Sequence, residues 1–232
     1  MGSYTLPGML DAPNTGFEDA SLHQGHSRFD EENADLVLQT RSLLNRIVSD
    51  DELHPKLMNT LSMLEHMGSY KIMATQHGPG VEQATLRHLA EECQHAFFMK
   101  RQAEKTARRE LEYQPGDLLA AVAARMYFQR LEASMVRALA PEGALSAAYL
   151  YMSMIVEFRA VWFYGLYQQV LARHEHALSL KRLLGEEQNH LTEMAERLRQ
   201  AGHLNDARVD RFVRTERALY GRFLDSLRRF IN

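Results

Sequence analysis

Two short segments of this 232-residue chain carry the same arrangement of metal-ligating side chains: Glu91-Glu92-Cys93-Gln94-His95 and Glu186-Glu187-Gln188-Asn189-His190. Each reads Glu-Glu-x-amide-His. On an α-helix, residues three apart sit about 60° from one another on one face, so Glu92 with His95, and Glu187 with His190, aim an oxygen and a nitrogen at a common point. A Glu or His on a helix is ordinarily a solvated surface residue, so no single position carries the argument. The doubling does. Only three Glu-Glu pairs occur in the chain, and two of them are followed at the same distance by histidine. Leu86, Leu89 and Ala96 flank the first pair, and Leu183, Leu191 and Met194 the second, so both pairs are expected to point inward.

One further glutamate precedes each pair. Glu65 lies 27 residues before Glu92, and Glu157 lies 30 before Glu187, offsets that suit a helix, a turn and a helix. Glu65 shares an inner face with Leu61, Gly68 and Ile72. Glu157 interrupts a nearly all-apolar stretch from Ala147 to Tyr167. A carboxylate there needs a cation, a proton or a metal to stay. The two halves are displaced by 92 residues (Glu65 to Glu157) and 95 (Glu92 to Glu187), a pseudo-repeat of one helical hairpin. Four carboxylates and two imidazoles would then converge. Hard oxygen donors with imidazoles and no thiolate suit iron or manganese better than a structural zinc, and two such ions would neutralise four carboxylates in a dry core.

The elements that must position these residues are helical. After the N-terminal stretch, prolines fall only at 55, 79, 115 and 141, and the intervals between them are rich in Ala, Leu, Glu, Arg, Met and Gln. No alternating β-branched run closed by a tight turn occurs. The spacing predicts helices over about 30–49 with Asp30 as N-cap, 51–76, 81–111, 115–140, 143–173, 176–200 and 207–230, the second stopped by His77-Gly78-Pro79-Gly80 and the sixth by Gly202. Residues 1–28, rich in Gly, Pro, Asn and Ser, read as a flexible arm, and 29–232 as a single helical domain.

Composition bounds the function. Hydrophobic residues make up 45% and charged residues 25% of the chain, with a formal net charge of −3, so there is no basic footprint for nucleic acid. The single cysteine, Cys93, excludes a disulfide framework or a thiolate cluster and is read as a small buried packing residue. No signal sequence is evident, and a cytoplasmic location is the expectation. Glu157 and Arg159 sit in the middle of the most apolar run, which argues against a membrane span.

The set Glu65, Glu92 with His95, Glu157, and Glu187 with His190 resembles that of the ferritin-like di-iron and di-manganese carboxylate superfamily, over residues 52–110 and 143–200. The resemblance implies an all-α, ferritin-like four-helix bundle with additional N-terminal, crossover and C-terminal helices, and two iron ions, or iron with manganese, per chain. In many members an acidic residue directly before the ligating Glu supports the opposite histidine, so Glu91 and Glu186 look like such partners, although Glu replaces the commoner Asp. His88 lies one turn before Glu92. Arylamine N-oxygenases of the superfamily have an extra histidine ligand on the last ligand helix, where this chain has Leu183; His88 is therefore read as surface or structural, with an added ligand as the alternative. Ribonucleotide reductase small subunits place a radical tyrosine where Met99 stands, which disfavours that role. The aromatic residues of the fifth helix, Tyr164 among them, are read as core.

Three functions are in view. The first is an O2-activating oxidase or oxygenase acting on an apolar small molecule, supplied by an external electron donor; the short hairpin offsets are similar to those of small oxygenases such as the aldehyde-deformylating enzymes. The second is a ferroxidase or peroxide-detoxifying protein. The third is a helical interaction protein without metal, which gains if the glutamates pair with arginines such as Arg159. A homodimer is compatible with each.

Overall fold

A computed structural model of the chain describes residues 20–76 and 80–231. Most of the expected N-terminal arm, residues 1–19, lies outside that range. Among the described residues the fold is all-helical, with eight α-helices and no strand: α1 (Ala20–Glu32), α2 (Ala34–Val48), α3 (Leu53–Thr75), α4 (Gln83–Ala107), α5 (Ala121–Leu139), α6 (Ala148–Arg173), α7 (Lys181–Gln200) and α8 (Asp206–Ile231).

The helix expected over 30–49 is two helices, and it begins earlier. Asp30 lies inside α1 rather than capping its start. The break falls at Asn33, whose side-chain amide donates to the Phe29 carbonyl at 2.8 Å. That side-chain bond offers the backbone an alternative to continuing the helix. Asp50 stands just before α3, and its Oδ1 accepts from the backbone N–H groups of Glu52 and Leu53, each at 2.9 Å. Gly202 ends α7 in a left-handed conformation (φ 68°), and the N–H of His203 returns to the Leu198 carbonyl. The predicted boundaries elsewhere overran by a few residues, because turns and 3-10 segments at Pro115–Asp117, Ala140–Glu142 and Leu145–Ala147 occupy the ends.

Two long hairpins, α3 with α4 and α6 with α7, pack together, and α1, α2, α5 and α8 close around them. Helix α6 is buried nearly all round, from Leu150 to Leu171. Helix α8 buries one stripe, Val209, Phe212 with Val213, Glu216, Tyr220, Leu224 and Leu227, that recurs every three or four residues. Burying an apolar side chain is worth roughly 1.5–3 kcal/mol, so these stripes dominate the placement of both helices.

One polar cluster locks the outer helices to α6. Arg159 is buried and donates through Nε and Nη2 to the two carboxylate oxygens of Glu216 (2.8 and 2.7 Å) and through Nη2 to Asn33 (2.6 Å). Tyr127 also donates to Glu216 at 2.6 Å, and the guanidinium lies 3.8 Å from the Tyr220 ring centroid. The charge is thus matched and its donors largely used, which is what a buried arginine requires.

Candidate metal centre

The sequence-predicted ligands meet. Helix α3 brings Glu65, α4 brings His88, Glu92 and His95, α6 brings Glu157, and α7 brings Glu187 and His190. All but the half-buried Glu65 are buried. Their donor atoms form two groups, each with atoms within 4.8 Å of one another: Glu65, Glu92, His95 and Glu187, and His88, Glu92, Glu157 and His190. Glu92 belongs to both. Glu187 borders the second group, with Oε2 3.2 Å from His190 Nδ1. These buried groups could hold a metal ion.

The donor geometry fits one. His95 Nδ1 lies 3.2 Å from Glu187 Oε1, yet both atoms lack a hydrogen bond, as do both ring nitrogens of His88. His88 Nε2 is 3.3 Å from Glu92 Oε1 and 3.5 Å from Glu157 Oε1, and His190 Nδ1 is 3.5 and 3.8 Å from the same oxygens. Donors bound at about 2.1 Å around one ion stand about 3.0–3.4 Å apart, close to four of these spacings, which run from 3.2 to 3.5 Å; His190 Nδ1 is also hydrogen-bonded to Glu187 Oε2 at 3.2 Å. Buried polar atoms left in this way call for an ion or a proton.

The supporting contacts cross between α4 and α7. Glu91 of α4 lies 2.7 Å from His190 Nε2, and Glu186 of α7 lies 2.9 Å from His95 Nε2. A carboxylate can only accept, so each Nε2 carries a proton, and each Nδ1 is the nitrogen that would offer its lone pair to a metal ion. Glu186 is also held by Arg182 at 2.9 Å. On the opposite side the Tyr164 hydroxyl donates to Glu65 Oε1. Gly68 makes room: a Cβ there would stand 3.1 Å from Glu92 Oε2.

Gathering carboxylates and imidazoles in one buried site shifts their titration. Burial, and then the charges of Glu92 and Glu187, push Glu65 well above the usual carboxylate range. Burial with the charges of Glu187 and Glu92 does the same to Glu157. Burial opposes a charged His95, but the adjacent Glu187 carboxylate, with Glu65 and Glu92, outweighs it and pushes that imidazole up to about 10. Burial and neighbouring carboxylates also keep the Tyr164 phenol protonated.

Three sequence expectations need correction. His88 is neither a surface nor a detached structural residue; it sits in the second donor group, because position i−4 from Glu92 lies on the same inner face of α4. Cys93 is exposed rather than packed, and Leu86 is 52% exposed rather than inward, because both lie on the side of α4 turned away from the donors. The metal-free reading would gain if Arg159 paired with one of the six predicted residues; Arg159 pairs with Glu216 instead. Glu216 went unnoticed in the sequence although a glutamate inside the apolar stripe of α8 was its signal. Met99 is fully buried core.

A cavity of about 430 Å³ reaches the second donor group from the surface between α3, α5 and α6. Ile72, Phe128, Met135, Met152 and Val156 supply apolar wall, and His88, Glu92 and Glu157 form its floor. The Lys71–Glu132 pair, 2.6 Å apart, and exposed Tyr70, Val136 and Leu145 also line it. A smaller chamber of about 100 Å³ lies beyond, sharing Glu92, Glu157, Phe128 and Val156 with the first and walled by Leu61, Leu64, Phe163 and Phe223.

Comparison of the chain with protein-family models, with curated proteins and with solved structures found no match. No helix among the described residues is long and apolar enough to cross a membrane.

Proposed function

We propose that this chain is a ferritin-like dimetal carboxylate protein that uses O2 to oxidise an apolar small molecule. The observation that carries the oxidation reading is the largely apolar cavity that ends on His88, Glu92 and Glu157. A ferroxidase needs a polar path for iron; the path here favours an organic substrate.

Glu65, Glu92, His95 and Glu187 would hold one ion, and His88, Glu92, Glu157 and His190 the other, with Glu92 and Glu187 placed to serve both. When bound, two iron ions, or iron with manganese, would supply the redox chemistry that O2 requires, with electrons from an external donor. The chain's own residues do the rest. Glu91 and Glu186 orient the two histidines, Tyr164 orients Glu65, and Phe128 and Val156 supply apolar wall beside the floor of the cavity. Tyr149 and Ser153 on the cavity wall offer hydroxyls to a polar atom of the substrate.

The test is anaerobic Fe(II) reconstitution followed by metal analysis. Wild type is expected to hold about two ions per chain, and a Glu92→Ala/His190→Ala variant to lose them. With reductant and O2, apolar candidates should be oxidised, and Met152→Trp should cut that turnover about tenfold by filling the cavity while leaving metal content unchanged. Absence of metal in reconstituted wild type overturns the dimetal reading. Metal binding with ferric mineral and no organic oxidation overturns the oxygenase and favours the ferroxidase.

A further inference from the structure

Helix α4 carries a second stripe that the metal centre does not use. At 100° per residue, Glu82, Leu86, Ala90, Cys93, Phe97 and Arg101 fall within about 100° of arc, roughly opposite His88, Glu92 and His95. All six are exposed, Leu86 at 52% and Phe97 at 56%. A helix whose inner face already packs would ordinarily present polar side chains there. Instead the centre of the outer face is Leu, Ala, Cys and Phe, with one acidic and one basic residue at its ends.

The order of these residues is self-complementary. When a second α4 is laid antiparallel about a two-fold axis between Glu91 and Glu92, Ala90 meets Cys93, Leu86 meets Phe97 and Glu82 meets Arg101, each pair occurring twice. Small residues stand at the crossing, where backbones approach most closely. Large apolar ones flank them, and opposite charges close both ends. Among the described residues Glu82 has a loose partner, Arg197 at 3.6 Å, and its side chain is 74% exposed, which leaves it room to turn outward. The spacing of four, four, three, four and four residues keeps all six on one seam.

We propose that this face of α4 is the two-fold interface of a homodimer of this chain, in the antiparallel register just described. The interface lies on the opposite side of α4 from the donor groups. The cavity opens between α3, α5 and α6, so pairing leaves it accessible.

Sedimentation velocity from about 1 to about 100 µM tests the proposal on the full chain, with circular dichroism to confirm helicity. Wild type is expected to pass from monomer to dimer in this range, and Phe97→Glu to stay monomeric. Glu82→Arg and Arg101→Glu should each weaken the dimer about tenfold, since like charges then face each other at both ends, and the double variant should restore it. Ala90→Cys should bring a thiol opposite the second copy's Cys93 and give a covalent dimer on mild oxidation. A wild type monomeric throughout overturns the proposal, as does a dimer indifferent to Phe97→Glu. Failure of the charge swap to restore pairing overturns the register. Should Phe97→Glu lose its helicity, the charge swap decides alone.

Discussion

The crossed support of the two histidines makes a sharp prediction. Glu91→Gln and Glu186→Gln each keep an oxygen that can accept from the histidine Nε2–H but remove the negative charge that makes that nitrogen's opposite, Nδ1, a stronger donor. A hydrogen bond to a charged group contributes about 1.5–3 kcal/mol net, against about 1 for a neutral one, so the loss is about 0.5–2 kcal/mol. Partners of metal ligands generally matter by 10- to 100-fold in affinity. The side chains here are 30% and 20% exposed, and Glu186 shares its charge with Arg182, which places the effect near the lower end. The expected outcome is about a tenfold weaker site, about 1.4 kcal/mol, for each variant. The loss should cross the helices. Glu91→Gln on α4 should weaken the group containing His190 on α7, and Glu186→Gln on α7 the group containing His95 on α4. Titration with Co(II) against a competing chelator reads the affinities, and the paramagnetically shifted imidazole N–H resonances assign each loss to a histidine. An affinity changed less than about twofold, or a Glu91→Gln signal change confined to His95, refutes the assignment of support.

The buried cluster around Arg159 should respond differently to breaking and to replacing. Glu216→Ala leaves a buried guanidinium uncompensated and Tyr127 without its acceptor, costing about 3–5 kcal/mol, or a fall in Tm of about 6–20 °C for a chain of this size. Arg159→Met with Glu216→Leu should recover most of that loss in calorimetry; a double variant as unstable as the single would show that the charge pair itself, not its desolvation, holds the helices. His54 gives a pH signature. Burial, then the charges of His176 and His174, lower its pKa to about 4, while its Nε2 lies 2.6 Å from the Tyr167 hydroxyl. The unfolded chain therefore binds a proton that the folded one rejects between about pH 6.5 and 4, so stability falls as pH is lowered through that window, by up to about 3 kcal/mol. His54→Gln should flatten this part of the stability profile in urea titrations at pH 7 and 4.5, and a wild type and variant with parallel profiles would refute the linkage.

The doubled Glu-Glu-x-x-His pattern placed four of the donors, and the apolar run around Glu157 and the inner face shared by Glu65 placed the other two. Helical period is a local property, so residues three apart face one way whatever the tertiary structure. His88 obeys the same rule at four residues, and its spacing from Glu92 is the local signal for its place beside the donors. Leu86 and Cys93 mark the opposite failure. Apolar character alone does not say which of two faces of a helix turns inward, and α4 has apolar residues on both.

By itself the sequence determined that the chain is helical, where most helices lie, and that two like hairpins carry a repeated set of oxygen and nitrogen donors. Those follow from backbone propensity and a fixed rotation per residue, which act over a few positions. The tertiary structure decided what depends on which helices touch: the crossed pairing of Glu91 with His190 and Glu186 with His95, the choice of Glu216 over Glu157 as the partner of Arg159, the room that Gly68 leaves for Glu92, and the cavity that ends on His88. Such contacts join residues from about 24 to about 100 positions apart, and no local period encodes them; they are set by which apolar faces bury one another when the hairpins close.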